Sequence, residues 1–148
     1  KTFISLLLIL AIKTVKMNDL IYIKKSLIKG AGKGAFARQD ITSKTKLGEY
    51  SGRLIDTETF SKLKNTLYTF EVTKKFEGRY YLFYIDASDP KHSGLLRYVN
   101  GALGRKQKKL VNVESYQYAE KIYYRACRDI KKGEELLIDY GDNYWDED

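Results

Sequence analysis

The fold is indicated most clearly by residues 133–145, which read GEELLIDYGDNYW. Residues 136–138 form a short apolar run, Leu-Leu-Ile, which is typical of a strand buried on both faces. The run ends at Tyr140, and two more aromatic residues, Tyr144 and Trp145, follow a Gly-Asp turn. Glycine and aspartate suffice to turn a chain, and three aromatic rings are not needed there. The rings therefore require an explanation of their own.

The composition is that of a single globular domain. The 148 residues are enough for a hydrophobic core without disulfides or metals, and 43% of them are apolar and 31% charged. The chain has one cysteine, Cys127, and one histidine, His92. These counts exclude a disulfide framework, a cysteine-rich zinc cluster and a site built from several histidines. We expect no metal site, and any chemistry must depend on carboxylates, lysines, tyrosines and backbone groups.

The formal net charge is +8, from 27 basic and 19 acidic residues. Three lysines, Lys1, Lys13 and Lys16, precede the predicted domain, and without them 24 basic residues stand against 19 acidic ones, a net +5. The clearest basic cluster is residues 104–110, GRKQKKL. A run of like charges is usually a solvated loop, and contact with a polyanion such as nucleic acid is the alternative.

Residues 1–16, KTFISLLLILAIKTVK, are expected to lie outside the domain. Their apolar run, residues 3–12, is too short to span a membrane, which takes roughly 20 residues. It resembles the apolar part of a signal peptide, but no small-x-small cleavage motif follows it. Because the only methionine is Met17, we expect an upstream segment translated in frame, with a signal or anchor as the alternative. Residues 17–148 are therefore predicted to form one domain after a leader of residues 1–16.

The domain is predicted to be mostly β. Residues 115–127, SYQYAEKIYYRAC, predict a hairpin with its corner at residues 119–121, and a turn at residues 132–133 precedes the last strand. Other short runs rich in β-branched and aromatic residues, bounded by glycine, serine or charged residues, predict strands within residues 20–26, 46–55, 68–76 and 79–87.

Residues 56–67, DTETFSKLKNTL, predict a short helix capped by Asp56 or Thr57. Its apolar stripe would consist of Phe60, Leu63 and Leu67. Many short strands with one or two small helices leave little room for parallel β-α-β units.

Residues 30–37, GAGKGAFA, form a glycine-rich loop. The loop is not a dinucleotide-binding fingerprint, because its spacing is G-x-G-x-G and no helix pattern follows, and it lacks the Gly-Lys-Ser/Thr of a phosphate loop. A tight turn between strands is the simplest interpretation. The functional alternative is close approach of the backbone to a ligand.

Four segments resemble, in their order and spacing, the SET-domain family of protein lysine methyltransferases. They are GAGKGAFA (30–37), GEYSG (48–52), YIDAS...LLRYVNGA (84–102) and CRDIKKGEELLIDYGDNYW (127–145). RYVNGA and the YRAC that precedes RDI are most similar to the PR/SET branch, and minimal viral SET proteins are similar in having nothing beyond the core. The resemblance covers about residues 20–145.

The resemblance implies a mostly β fold of the α+β class, with small curved β-sheets, one or two short helices and a C-terminal pseudoknot. In the pseudoknot the last segment passes beneath a preceding loop, a threading that few folds show. It would hold residues 97–100 against Tyr140. The rings at the C-terminus then have a role, because Tyr140 enters a pocket while Tyr144 and Trp145 cover the cofactor.

The reaction implied by the resemblance is transfer of a methyl group from S-adenosylmethionine to a lysine amine. Alignment and desolvation of the two reactants favour such a transfer, because the amine must be neutral to attack. By their place in the motifs, Tyr140 matches the family's catalytic tyrosine, and Tyr50 and Tyr124 match tyrosines of the lysine channel. Since the chain has 13 tyrosines, a purely structural role is the alternative for each.

The resemblance also implies a set of cofactor-binding residues. Lys33, Gly34 and Ala35 would contact the methionine end of S-adenosylmethionine through their main chain. Arg97, Tyr98 and Asn100 occupy the motif that places backbone and an amide on the cofactor. Tyr144 or Trp145 would stack near the adenine.

One departure from the family pattern is Asn100-Gly101-Ala102, where Asn-His-Ser is usual; the PR/SET branch also lacks that histidine. It makes a catalytically inactive module that binds a peptide or partner the second hypothesis, and a basic β-rich nucleic-acid binder is the third. The implied partner is a basic, lysine-containing peptide such as a histone tail, with a homodimer possible and no need for nucleic acid or membrane. The implied location is nuclear, on chromatin, or a host nucleus if the chain is viral, with the cytoplasm as the alternative.

Overall fold

The structure is a computed structural model that describes residues 17–140, and the leader of residues 1–16 as well as Tyr144 and Trp145 lie outside this range. Ten short strands dominate it: β1 (Ile21–Lys25), β2 (Lys33–Ala37), β3 (Lys46–Glu49), β4 (Arg53–Asp56), β5 (Thr69–Phe76), β6 (Arg79–Asp86), β7 (Asn100–Gly101), β8 (Val113–Tyr118), β9 (Lys121–Ala126) and β10 (Leu137–Ile138). The helices are short: α1 (Met17–Leu20), α2 (Thr57–Ser61), α3 (Gly104–Lys108) and 3₁₀ turns at Pro90–His92 and Leu95–Tyr98. The mostly β prediction is confirmed.

The strands form three sheets. β1 and β2 pair alone, β6 lies between β4 and β5, and the third sheet has the order β3-β9-β8-β10-β7. Two hairpins have two-residue turns in which both residues have positive φ, at Glu77–Gly78 and Ala119–Glu120. Such turns match the twist of the flanking strands. The hairpin expected at residues 115–127 is therefore present, with its turn at residues 119–120.

The last strand is inserted between two strands that are consecutive in sequence. β10 is parallel to both neighbours, with Leu137 opposite Asn100 and Ile138 opposite both Gly101 and Val113. Because residues 102–112 join β7 to β8, the C-terminal segment passes beneath that connection. This is the threading expected of a pseudoknot, and it brings residues 97–101 beside Tyr140.

The helix predicted at residues 56–67 is shorter in the structure and ends at Ser61. Asp56 caps it as expected, because its Oδ1 accepts the Thr59 amide at 2.8 Å. The chain then turns toward β5, and Asn65 Oδ1 accepts the Leu67 amide at 2.9 Å. Phe60 stacks on Tyr84, but Leu63 is only half-buried and Leu67 is exposed, so the predicted stripe does not continue past the first turn. Among the described residues, no helix has the length and apolar character needed to cross a membrane.

Candidate active site

Two clefts meet at Tyr140. The first, the glycine-loop cleft, has a volume of about 410 Å³ and includes Gly30, Ala31, Arg97 and Asn100 in its wall. The second, the sheet-edge cleft, has a volume of about 670 Å³ and lies along the start of β5. Thr69 and Tyr140 line both clefts, so the two clefts adjoin at these two residues.

The position of Tyr140 depends on Gly101. A Cβ atom at Gly101 would lie only 2.7 Å from the Tyr140 ring, so the ring occupies the space that any side chain there would need. The Tyr140 hydroxyl lies 3.5 Å from the Val99 carbonyl oxygen, and its ring centroid is 6.1 Å from that of Phe70. Because Gly101 has no side chain, the Tyr140 ring can occupy this space, which a histidine at position 101 would fill.

Tyr50 and Tyr124 form a wall behind Tyr140. Their rings stack with centroids 5.3 Å apart, and Phe70 packs against both. Tyr50 is 3% exposed, and its hydroxyl donates to the Tyr68 carbonyl oxygen at 3.1 Å. Burial, reinforced by the nearby Tyr140 hydroxyl, raises the pKa of both Tyr50 and Tyr124 above the ordinary value for tyrosine.

The Tyr124 hydroxyl is fully buried and has no hydrogen-bond partner of standard geometry. Among the residues whose side chains the structure describes, it is the only buried side-chain nitrogen or oxygen without a hydrogen bond of standard geometry. A desolvated polar group without a partner costs about 1–3 kcal/mol, so proteins retain few of them. The group is a neutral hydroxyl next to Tyr140, where a small polar ligand atom would satisfy it.

Arg97 and Asn100 are held in the wall of the glycine-loop cleft by backbone carbonyls. Arg97 donates from Nε to the Ala87 carbonyl at 2.8 Å and from Nη2 to the Ser88 carbonyl at 3.0 Å. Asn100 Nδ2 donates to the Lys33 carbonyl at 3.1 Å. These bonds fix both side chains before any ligand is present.

The Arg97 guanidinium also contacts two aromatic rings. Its guanidinium carbon lies 4.3 Å from the Tyr68 ring centroid and 4.9 Å from that of Tyr98. Tyr68 lines the glycine-loop cleft, whereas Tyr98 packs against the core. Lys33 lies near Tyr98, with its Nζ 6.0 Å from the ring centroid.

The glycine-rich loop contributes a different part of itself to the cleft than the residues named from the sequence. Ile28, Gly30 and Ala31 line the cleft, and Gly30 has a φ of +82°. Gly34 and Ala35 are buried in β2 and do not line it. The structure thus brings together Tyr50, Tyr124, Tyr140, Arg97 and Asn100, with Gly34 and Ala35 one layer behind.

Glu135 is a buried carboxylate that the sequence did not single out. It is 8% exposed and accepts hydrogen bonds from Ser26 Oγ at 2.6 Å, the Leu27 amide at 3.0 Å and Asn100 Nδ2 at 3.3 Å. Gly34 packs against it with no room for a Cβ. One carboxylate therefore connects residues 26–27, which precede the glycine-rich loop, to Asn100 of β7. The only indication in sequence is that Glu135 directly precedes the buried run at residues 136–138.

Comparison with known proteins identifies this architecture. Residues 21–147 match the family model described as PR domain zinc finger protein 2, PR domain. Among curated proteins, human histone-lysine N-methyltransferase PRDM7 is 37% identical over 100 residues, covering 68% of this chain and 18% of that protein. The putative histone-lysine N-methyltransferase PRDM6 of Bos taurus is 34% identical over 121 residues, covering 80% and 20%. The chain thus spans about a fifth of the length of these relatives.

Solved structures share the fold. The methyltransferase domain of human PR domain-containing protein 2 superposes with a TM-score of 0.69 at 27% identity, covering 84% of this chain and 80% of that one. The polycomb complex ctPRC2 in an autoinhibited conformation, bound to S-adenosylmethionine, gives a TM-score of 0.62 at 26% identity, covering 84% and 15%. The sequence match and the structural match indicate the same family. The chain belongs to the PR domain family.

Proposed function

We propose that this domain is a protein lysine N-methyltransferase that uses S-adenosylmethionine. The single observation that carries the proposal is the buried Tyr124 hydroxyl, which lies beside the Tyr140 hydroxyl without a hydrogen bond of standard geometry, where two clefts meet. A methyl transfer needs two reactants brought in line from opposite sides and a dry place for an amine between them. Two clefts sharing Tyr140, with buried tyrosines behind it, provide that arrangement.

The glycine-loop cleft suits the methyl donor. Its volume of about 410 Å³ is in the range of small-molecule sites, and Gly30 and Ala31 expose backbone where a large side chain would fill the space. S-adenosylmethionine, when bound, supplies a methyl group activated on a sulfonium. Asn100 and Arg97 would position the donor in this wall. The other proposed donor contacts are Lys33, Tyr98, Tyr144 and Trp145. Gly34 and Ala35, which lie one layer behind the cleft wall, would act through the position of their main chain.

The tyrosine wall suits a neutral amine. A lysine side chain has a pKa near 10.4 in water, and desolvation among apolar rings favours its uncharged form. The Tyr50 and Tyr124 hydroxyls stay protonated because burial raises their pKa, so they add no negative charge that would retain the ammonium. Tyr140 and Tyr124 would orient the amine, and Tyr50, whose hydroxyl is bound to the Tyr68 carbonyl, would hold the shape of the channel.

The sheet-edge cleft suits a basic peptide. Two acidic residues, Glu71 and Asp139, line it, and no Lys or Arg of the described chain does. Complementary charge steers and orients a lysine-rich segment. Because the relatives are named histone-lysine methyltransferases, we propose a histone tail as substrate and chromatin in the nucleus as its location. The chemistry itself requires neither nucleic acid nor a membrane, and a homodimer is compatible with it.

The domain is proposed to extend over residues 17–148. The family match, which runs over residues 21–147, supports these limits. The rings of Tyr144 and Trp145 would then belong to the same unit as the clefts.

The test is mass spectrometry of histones incubated with S-adenosylmethionine and either wild-type protein or Tyr140→Phe. We expect lysine methylation by the wild type and a loss of at least about 100-fold in the variant, the usual scale for a positioned proton-handling group. Tyr118→Phe removes a hydroxyl from a tyrosine that is 70% exposed on the β8–β9 hairpin and should leave the rate unchanged. Donor binding without transfer by the wild type would instead favour a non-catalytic binding module, for which the replacement of the usual histidine by Gly101 is the supporting observation.

A further inference from the structure

Three basic segments come together near Ile28. The first is the loop of residues 26–33, to which Ile28 belongs, and the others are the connection of residues 102–112 and the turn of residues 131–133. Ile28 faces Leu103 across the glycine-loop cleft. Leu27 and Ile28 also line a separate cavity of about 520 Å³ together with Gln107, Leu110 and Lys132. The three segments therefore form one continuous surface, here called the basic surface.

The basic surface carries eight Lys and Arg residues and no Asp or Glu. They are Lys29, Lys33, Arg105, Lys106, Lys108, Lys109, Lys131 and Lys132. All are exposed except Lys108, which is half-buried. Three acids adjoin this surface, and each already has a partner: Glu134 lies 3.4 Å from Arg128, Glu135 is buried against Ser26, and Asp40 accepts the Lys132 amide at 2.8 Å.

Part of the positive charge of this surface is not balanced by ion pairs. Within residues 17–140, no acidic side chain forms an ion pair with Lys29, Arg105, Lys106 or Lys109. Some cations elsewhere in the described chain are paired, as in Lys44 with Glu114 at 2.9 Å, and others, such as Lys64, are not. The basic surface therefore differs from the rest of the described chain in the clustering of its cations, with no acidic residue among them.

The arrangement favours an extended anion over a small one. The charged groups are exposed and spread over three segments, which suits a row of phosphates rather than a single buried ion. Most exposed aromatic rings of the described chain, those of Phe76, Tyr80, Tyr81 and Tyr118, lie on the two hairpins. The basic surface itself exposes leucines and no ring, and the one exposed ring next to it, that of Tyr140, lines the glycine-loop cleft. Since single strands are held largely by stacking on aromatic residues, a duplex fits better.

We propose that the basic surface binds the phosphate backbone of duplex DNA without sequence preference. The acidic sheet-edge cleft would remain available for a basic peptide, so DNA and peptide would occupy different faces. This interaction goes beyond the proposed methyl transfer, and DNA binding can be measured with no methyl donor present.

The experiment measures binding of a fluorescent 20-base-pair duplex to the full chain by anisotropy over a series of KCl concentrations. Arg105→Gln, Lys106→Gln and Lys109→Gln are combined in one variant. Each lost phosphate contact lowers the slope of log K against log salt by about 0.9, so a slope smaller by about 2–3 is expected. The matched control, Lys64→Gln, Lys75→Gln and Arg79→Gln, removes the same charge from exposed residues off the basic surface and should change the slope by less than about 1.

Circular dichroism and thermal melting of both triple variants establish that they are folded. Equal loss of affinity in the two variants would show that only net charge matters and would overturn the proposal. Binding of single-stranded RNA of equal length, or of a poly-glutamate peptide, at least as tightly as the duplex would also overturn it. Loss of duplex binding in the Arg105/Lys106/Lys109 variant and not in the control variant supports the proposal. This result does not depend on whether the wild type or the variants methylate a peptide.

Discussion

At the level of single residues, Tyr50 and Tyr124 present a contrast that can be measured. The Tyr50 hydroxyl donates a hydrogen bond to the Tyr68 carbonyl, whereas the Tyr124 hydroxyl is buried beside the Tyr140 hydroxyl without a hydrogen bond of standard geometry. Tyr50→Phe should lower the free energy of unfolding by about 1 kcal/mol, because it removes this hydrogen bond, while the Tyr68 carbonyl keeps its bond from the Ala87 amide. Tyr124→Phe should raise it by about 1 kcal/mol, because the change removes a desolvated group. Urea denaturation of the two variants measures both effects, and equal destabilisation would show that the Tyr124 hydroxyl is paired in solution.

The same two phenols predict how stability depends on pH. Burial raises the pKa of both above about 10, the value expected in the unfolded chain. Above pH 10 the unfolded chain therefore binds fewer protons than the folded one, and stability falls as pH rises. Below about pH 9 both phenols are protonated in the folded and in the unfolded chain, so they do not make stability depend on pH. In the Tyr50→Phe/Tyr124→Phe double variant, the decline above pH 10 should be shallower by up to about 1.4 kcal/mol per pH unit for each phenol removed. Urea titrations from pH 8 to 11.5 measure it, and an unchanged slope would contradict the raised pKa values.

At the level of elements, the threaded strand β10 is held by the buried side chain of Asn112. Its Oδ1 accepts the Leu137 amide and its Nδ2 donates to the Glu135 carbonyl, both at 2.9 Å. Asn112→Ala would leave both groups buried and unpaired, so we expect a loss of about 2–4 kcal/mol in the free energy of unfolding.

Gln117 offers the matched control for that substitution. It also bonds twice to a neighbouring strand, accepting the Thr73 amide at 3.3 Å and donating to the Thr73 carbonyl at 2.9 Å. Because these bonds are exposed, water replaces them, and Gln117→Ala should cost less than about 1 kcal/mol. Similar losses from both substitutions, measured by denaturant unfolding, would mean that burial does not set the value of the Asn112 bonds.

The elements also show where sequence patterns succeed. Both hairpins form where alternating residues meet a two-residue turn, since each contact involves neighbours in sequence. The helix at residues 56–67 was predicted too long, because a stripe at positions 60, 63 and 67 forms a helix only where a core lies opposite it. Here the chain must turn toward β5, and Leu67 is left exposed.

At the level of the whole molecule, ligand binding should be linked to folding. The glycine-loop cleft is lined by residues from 28–31, 67–69, 97–103 and 140, segments that meet only in the folded chain. S-adenosylmethionine at 100 times its dissociation constant should raise the free energy of unfolding by about 2.7 kcal/mol. Thermal melting with and without the donor measures the effect, and Tyr140→Phe should retain most of it because that variant keeps the cleft wall. The absence of any shift in the wild type would rule out this cleft as the donor site.

Charge is also separated over the molecule. Glu71 and Asp139 line the sheet-edge cleft, whereas the basic surface lies beside the glycine-loop cleft. Such a separation lets one chain approach a basic peptide and a polyanion at the same time. The net charge of +8 gives no indication of it, because composition does not record position.

The sequence by itself determined most of the strands, the hairpin at residues 115–127 and the family resemblance, because these follow from local patterns and ordered motifs. It did not predict β2, because the glycines of residues 30–37 are typical of a loop. Only the tertiary structure decided which groups share a wall. Ser26 and Glu135 lie 109 positions apart, and no local pattern relates them, yet their hydrogen bond joins the segment that precedes the glycine-rich loop to the C-terminal segment. Likewise, the position of the Tyr140 ring against Gly101 and next to the buried Tyr124 hydroxyl depends on the threading of β10 between β7 and β8. Long-range packing of this kind depends on the whole chain at once, whereas a strand depends on its own few residues.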